Sequence, residues 1–162
     1  MSIKRIRREL AEAAVSRRQE KENAIDDLWP DEIAVADEPT PPITILKQQA
    51  ALLGRKTKNL VEAEVRTEVT DFQRILRHTF LLIAPVVGLN QYPLLYVEHP
   101  VDRLYPATVK VNPADASSSV RVIPTKDETE FKEQLKAVFA DEATKRLISN
   151  LRAQSASKSS VA

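Results

Sequence analysis

From Leu60 to Thr70 the chain alternates. Val61, Ala63, Val65, Thr67 and Val69 fall on one side, and Glu62, Glu64, Arg66 and Glu68 on the other. Successive side chains of a strand point to opposite faces, so a period of two predicts a strand with one buried face and one wet face. The next stretch carries two periods at once. Phe72, Ile75, Leu76, Thr79 and Phe80 fit a helix, but the run is β-branched and aromatic and ends at Pro85. That composition favours a strand over residues 75–84, while the pattern leaves residues 72–80 open between strand and helix. A turn is expected at Gly88-Leu89-Asn90-Gln91, followed by strands at Leu94–Val97, Ala107–Val111 and Ser119–Ile123.

Helical spacing brackets these strands. Ile45, Leu46, Gln49, Leu52 and Leu53 predict about three turns of helix, with Thr40 as N-cap, Pro41 in the first helical position and Gly54 as the left-handed C-terminal cap. After the strands, Thr125 and Glu128 have capping-box spacing. The helix they start has an apolar face of Phe131, Leu135, Val138 and Phe139. Asp141 can cap a last helix bearing Thr144, Leu147, Ile148 and Leu151, and residues 155–162 read as a disordered tail.

Residues 1–28 predict a long charged helix with an interrupted apolar stripe. Ile3, Ile6, Leu10 and Ala14 keep a helical spacing, Arg17 to Glu22 breaks it, and Ala24, Ile25 and Leu28 resume it. A heptad frame would put Arg17 and Glu20 in the seam, which argues against a coiled coil. Residues 29–40, acidic and containing Pro30 and Pro39, read as a linker. The expected architecture is α+β: a mostly antiparallel sheet of four to five strands packed by helices on one face, over residues 41–154, preceded by the charged helix. Short connections favour a meander.

Composition narrows the chemistry. The chain has 162 residues, no Cys, two His and only two Gly. No disulfide, thiolate ligand or Cys nucleophile is available. Gly54-Arg55-Lys56-Thr57 does not make a phosphate loop, because Gln49 stands where the earlier glycine is needed and Arg55 where the lysine is. His78 and His99 lack the spacing of a metal pair, and no further ligand set is apparent. A serine triad from His99, Asp102 and Ser117–Ser119 has no nucleophile elbow. Glu98, Asp102 and Lys110 lack the compact order of a nuclease cluster. No catalytic residue, cofactor or metal is therefore expected.

The uncharged run from His78 to Val97 is long enough to span a bilayer. Pro85, Gly88, Asn90, Gln91 and Pro93 interrupt it, so two strands and a turn fit better. With no apolar stretch behind the basic N-terminus, no secretory signal is expected, and a cytoplasmic location fits. Tyr92-Pro93, His99-Pro100 and Tyr105-Pro106 are expected to stiffen loops and guard a sheet edge, and any of them can be cis.

Charge gives the remaining signal. The formal net charge is +1, so no global field points to nucleic acid. The distribution is uneven: residues 1–19 hold six basic and two acidic groups, and residues 20–38 hold eight acids against Lys21. Apolar patches too small to hold the helix on its own domain suggest a docking element for a protein partner or for self-association. Ile3, Ile6, Leu10, Ile25 and Leu28 would be the apolar anchors, and Arg7 and Arg8 would meet acidic groups. The alternative is a nucleic-acid-binding accessory protein in which Arg5, Arg17, Arg18, Arg55, Lys56 and Lys58 contact phosphates. Acids at residues 20–38 oppose that alternative, and an aromatic content of 5% leaves few stacking platforms.

Residues 42–54 (PITILKQQAALLG), 60–65 (LVEAEV) and 80–99 (FLLIAPVVGLNQYPLLYVEH) resemble a group of small bacterial proteins with no assigned activity. The resemblance spans about residues 42–154 and implies a bacterial-type soluble domain. It brings no ligand and no catalytic residue.

Overall fold

The alternation after Leu60 becomes strand β1 (Glu62–Thr70), and the run of double periodicity becomes strand β2 (Ile75–Ala84). The computed structural model describes residues 3–22, 25–34, 38–70, 72, 74–113 and 117–160, with the backbone alone along 15–22, 34 and 159–160. The chain divides into two units, Met1–Asp37 and Glu38–Ala162.

In the second unit, β1 and β2 are followed by β3 (Leu89–Pro100), β4 (Ala107–Val111) and β5 (Arg121–Thr125). They form one antiparallel meander in the order β1-β2-β3-β4-β5. Register fixes the faces. Val65 opposes Phe80, Phe80 opposes Leu95, and Leu95 opposes Val111, so these four share the inner face. Glu68, Arg77 and Glu98 line up on the other. Phe80 pairs with Leu95 but Leu81 with Pro93, which leaves Leu94 as an inserted bulge residue. A bulge is where a sheet tolerates proline, and it lets adjacent Leu94 and Leu95 both join the core.

Helices α2 (Pro42–Lys56), α3 (Glu128–Ala140) and α4 (Glu142–Ser160) complete the unit. The core gathers Ile45 and Leu46 from α2, Phe80 and Leu82 from β2, Leu95 and Val97 from β3, and Phe131 and Leu135 from α3. This is the expected α+β fold with an antiparallel sheet. The uncharged His78–Val97 run is the β2–β3 hairpin, and no helix among the described residues is long and apolar enough to cross a membrane.

Local boundaries differ from the sequence reading for identifiable reasons. Thr40 does not cap α2. Pro41 occupies that position without a side-chain hydrogen bond, and helix begins at Pro42. Gly54 does not end α2 either. It is buried inside the helix, where a Cβ would meet Asn59 Oδ1 at 3.3 Å. The left-handed residues are Lys58 (φ 52°) and Asn59 (φ 62°), and the Asn59 amide closes on Gly54 O at 2.8 Å. The β2–β3 turn sits three residues early, in a 3-10 turn at Pro85–Val87, with Gly88 supplying φ 75°. Thr125 belongs to β5, so Asp127 caps α3 instead, its carboxylate accepting from Glu130 N at 2.8 Å. Helix α4 runs to Ser160, so residues 155–160 are helical where polar composition predicts a tail. The fully buried Ser155, one turn after buried Leu151, shows that packing extends to that point. Residues 161–162 lie outside the described residues. The Tyr105–Pro106 peptide bond is cis.

In the first unit, helix α1 covers Ile3–Glu22. It does not reach Leu28. Asp26 and Asp27 would face the negative end of the helix dipole, and Pro30 disfavours helical backbone at Trp29. Asp27 instead accepts the Trp29 amide at 3.0 Å, an Asx turn. The expected linker contains a 3-10 turn at Asp31–Ala34.

Candidate interaction surfaces

The expected docking residues fall into two groups. On α1, Ile3, Ile6 and Leu10 are 70%, 50% and 66% exposed, and every described side chain of this helix lies in water. Arg5 pairs with Glu9 at 3.6 Å and Arg8 with Glu12 at 3.3 Å, both with the base N-terminal, the weaker order. Arg7 has no ion pair among the described residues. The side chains of Arg17 and Arg18 lie outside the described residues. Ile25 and Leu28 are off the helix, 96% and 89% exposed, beside exposed Trp29 and Ile33. Sequence reasoning missed these last two because it read residues 29–40 as a linker without a pattern. Four large apolar side chains within nine residues were the available signal.

The candidate phosphate contacts Arg55, Lys56 and Lys58 are exposed at the end of α2 and the turn behind it. Arg77 is not available for such a role. It binds Glu98 at 2.9 Å, reaches Glu68 at 3.5 Å and stacks over Tyr96. Lys110 meets the same Glu98 at 3.0 Å. Burial works to raise the Glu98 pKa, but hydrogen bonds from Lys110 and Arg77 outweigh it and hold the carboxyl below its ordinary value. The sheet thus brings Glu98 and Lys110 together, as two of three members of the rejected nuclease cluster. Asp102 is absent from it and pairs with Arg103. A carboxylate held between two cations reads as a structural clamp.

The two histidines converge on the inner sheet face. His78 is 2% and His99 4% exposed, and their Nε2 atoms lie 2.8 Å apart. Hydrogen-bond partners place the first proton. His99 Nδ1 faces two carbonyl oxygens, Pro100 O at 2.9 Å and Arg103 O at 2.8 Å, so it carries a proton. One further proton lies between the two Nε2 atoms. His78 Nδ1 lies 2.8 Å from the Thr67 hydroxyl. The result is a hydrogen-bonded chain from an exposed threonine through two buried rings to a loop backbone. Burial, and then the charges of His99 and Lys47, lower the His78 pKa from 6.5 to about 4. Both nitrogens of each ring have a partner, as buried polar groups require. No group of three or more His, Cys, Asp or Glu able to hold a metal occurs among the described residues.

A concave apolar surface lies between α2 and α3. It consists of two adjoining cavities of about 510 and 230 Å³ that share Gln49 and Phe139. Phe80 and Leu94, both nearly inaccessible, form the floor of the smaller one, and Phe80 and Phe139 stack at 5.5 Å. Lys56, Lys132 and Lys136 stand on the rim, and no carboxylate lines either cavity. Lys132 is engaged by Glu128 at 2.8 Å, whereas Lys56 and Lys136 form no ion pair among the described residues. The sequence hid this furrow because it depends on the spacing of two helices that are far apart along the chain. Neither histidine lines it. Comparison of the chain with family models, with curated proteins and with solved structures finds no match.

Proposed function

We propose that this chain is a non-enzymatic protein–protein interaction module, a small subunit that docks through its N-terminal unit. The observation that carries the reading is the exposed line Ile3, Ile6 and Leu10 on α1. An isolated helix of this length with so polar a surface is marginal in water. A partner that offers an apolar groove to this line, and acids to Arg7 and Arg8, would order it. The buried histidines and the clamped Glu98 have structural accounts, so neither calls for a substrate.

Nucleic-acid binding is the weaker reading. Arg5, Arg8 and Arg77 already face carboxylates, and four acids lie between Asp26 and Glu32. Affinity purification of the full chain, compared with Ile6→Asp, tests the choice. A stoichiometric protein partner lost in the variant, with the melting temperature unchanged, supports docking through α1. Salt-sensitive binding of DNA or RNA that persists in Ile6→Asp sinks it.

A further inference from the structure

We propose that the furrow between α2 and α3 receives residues 25–34 of a second copy of this chain. The inference rests on the interaction-module reading and names its partner. The two surfaces match in chemistry. The furrow is apolar at its base and cationic at its rim, where Lys56 and Lys136 have no carboxylate partner among the described residues. Residues 25–34 have the opposite character: Asp26, Asp27, Asp31 and Glu32 carry negative charge, and no base lies among them. Ile25, Leu28, Trp29 and Ile33 are 96%, 89%, 74% and 62% exposed. So much apolar surface in so short a segment marks an interaction site. Trp is also among the residues that most often anchor an interface when seated in a pocket.

The segment is partly shaped in advance. The Asp27 carboxylate holds the Trp29 amide at 3.0 Å, and the Ile33 amide donates to Pro30 O at 3.2 Å. Two local turns lower the ordering entropy that binding must overcome. Seating Trp29 and Leu28 over Phe80, Leu94 and Phe139 would bring Asp31 and Glu32 to the lysine rim. Exchange of segments between two copies uses the same two surfaces twice and closes as a twofold dimer.

Trp29 is the single tryptophan of the chain, so its emission reports the segment directly. The full chain is followed by sedimentation velocity and Trp29 fluorescence across a wide range of concentration. The expected result is a monomer–dimer equilibrium in which dimerisation shifts the emission to the blue and added salt weakens both signals. Lys136→Glu and Asp31→Lys change exposed side chains, so both variants should keep the wild-type melting temperature. Each should weaken dimerisation by about tenfold or more through like-charge contact. Mixing the two should restore it, because the mixed dimer holds one native and one reversed ion pair.

A chain that stays monomeric at every concentration overturns the proposal. So does a blue-shifted Trp29 in a monomer, which would seat the segment on its own chain. Dimerisation indifferent to both variants overturns it too, since another surface must then be responsible. None of these variants touches α1. A monomeric chain that still captures a protein through Ile6 would leave the interaction-module reading standing and remove only this inference.

Discussion

His78 and His99 meet Nε2 to Nε2 at 2.8 Å, and only one proton fits between them. The ring of His99 is fixed by two carbonyl acceptors, and the ring of His78 spans from His99 to the Thr67 hydroxyl. Protonating His78 would place a charge in a buried site beside the second ring.

Stability should fall on acidification through this pair. The folded pKa of His78, about 4, lies below its ordinary value of 6.5. The unfolded chain takes up the proton first, so the contribution is complete above pH 6.5 and is lost as pH falls towards 4. The shift corresponds to about 3 kcal/mol. Urea unfolding of wild type and His78→Gln between pH 7.5 and 4 checks it. The wild type should lose about that much more than the variant, and the His78 ring should titrate near 4 by NMR. A ring titrating at its ordinary value would contradict the network.

The register of β1 yields a paired test. Val65 opposes Phe80 and packs against the core, whereas Glu64 is exposed beside Arg66. Val65→Asp would place a carboxylate against apolar neighbours and should cost about 2–3 kcal/mol. Glu64→Ala should stay within about 0.5 kcal/mol, since exposed ion pairs contribute little. Similar losses for both would mean that the strand faces the other way.

Glu98 should matter more than its position on the open sheet face suggests. It accepts from Arg77 and Lys110, and its side chain is only 17% exposed. Glu98→Gln leaves Lys110 without its counter-charge and Arg77 with Glu68 alone, and should cost about 1–2 kcal/mol in thermal or urea unfolding. Because the folded pKa of Glu98 is depressed, its contribution is present above the unfolded carboxyl pKa and is lost as pH falls through the folded one. Equal stabilities of wild type and Glu98→Gln at neutral pH would show the clamp to be solvent-screened.

Periodicity made the strands legible, and the inner face of β1 as far as Val65, whereas Thr67 and Val69 on the same side are exposed. What stayed hidden depended on partners distant in sequence. Asp127 outcompetes Thr125 as the cap of α3 because Thr125 is held in β5, its hydroxyl donating to Ala107 O at 2.5 Å. The histidine pair could not be read from a separation of 21 residues, although β2–β3 register brings the rings together. Ser155 looked like tail because polar composition says nothing about a helix whose small residues pack. Its Oγ is buried without a described hydrogen-bond partner. Ser155→Ala should therefore be neutral or raise stability by up to about 1 kcal/mol, read as an unchanged or higher melting temperature, whereas a clear loss would reveal a bond to that hydroxyl.

The edge of the folded domain should lie just before Thr40, not after it. Thr40 gives no side-chain cap to α2, yet its backbone is held twice. Its amide donates to Glu128 Oε2 at 3.1 Å, and its carbonyl accepts from the Tyr105 hydroxyl at 2.8 Å. These bonds tie the entry of α2 to the start of α3 and to the β3–β4 loop. Tyr105 is well suited to the task. Burial, and then the carboxylates of Glu128 and Asp127, push its pKa up to about 12, so it remains a donor at any physiological pH. Its ring also packs edge-on to Phe131 at 6.0 Å, which couples the hydroxyl's position to the core. A chain of residues 38–162 keeps both bonds and should melt with the same cooperativity and nearly the same midpoint as the second unit of the full chain. A chain of residues 42–162 leaves the part-buried Tyr105 hydroxyl without Thr40 and should lose about 1 kcal/mol for that bond. Tyr105→Phe should reproduce part of that loss in the longer chain and almost none in the shorter one, because the partner is already gone. If Tyr105→Phe costs the same in both, the hydroxyl is bonded elsewhere and Thr40 does not mark the boundary.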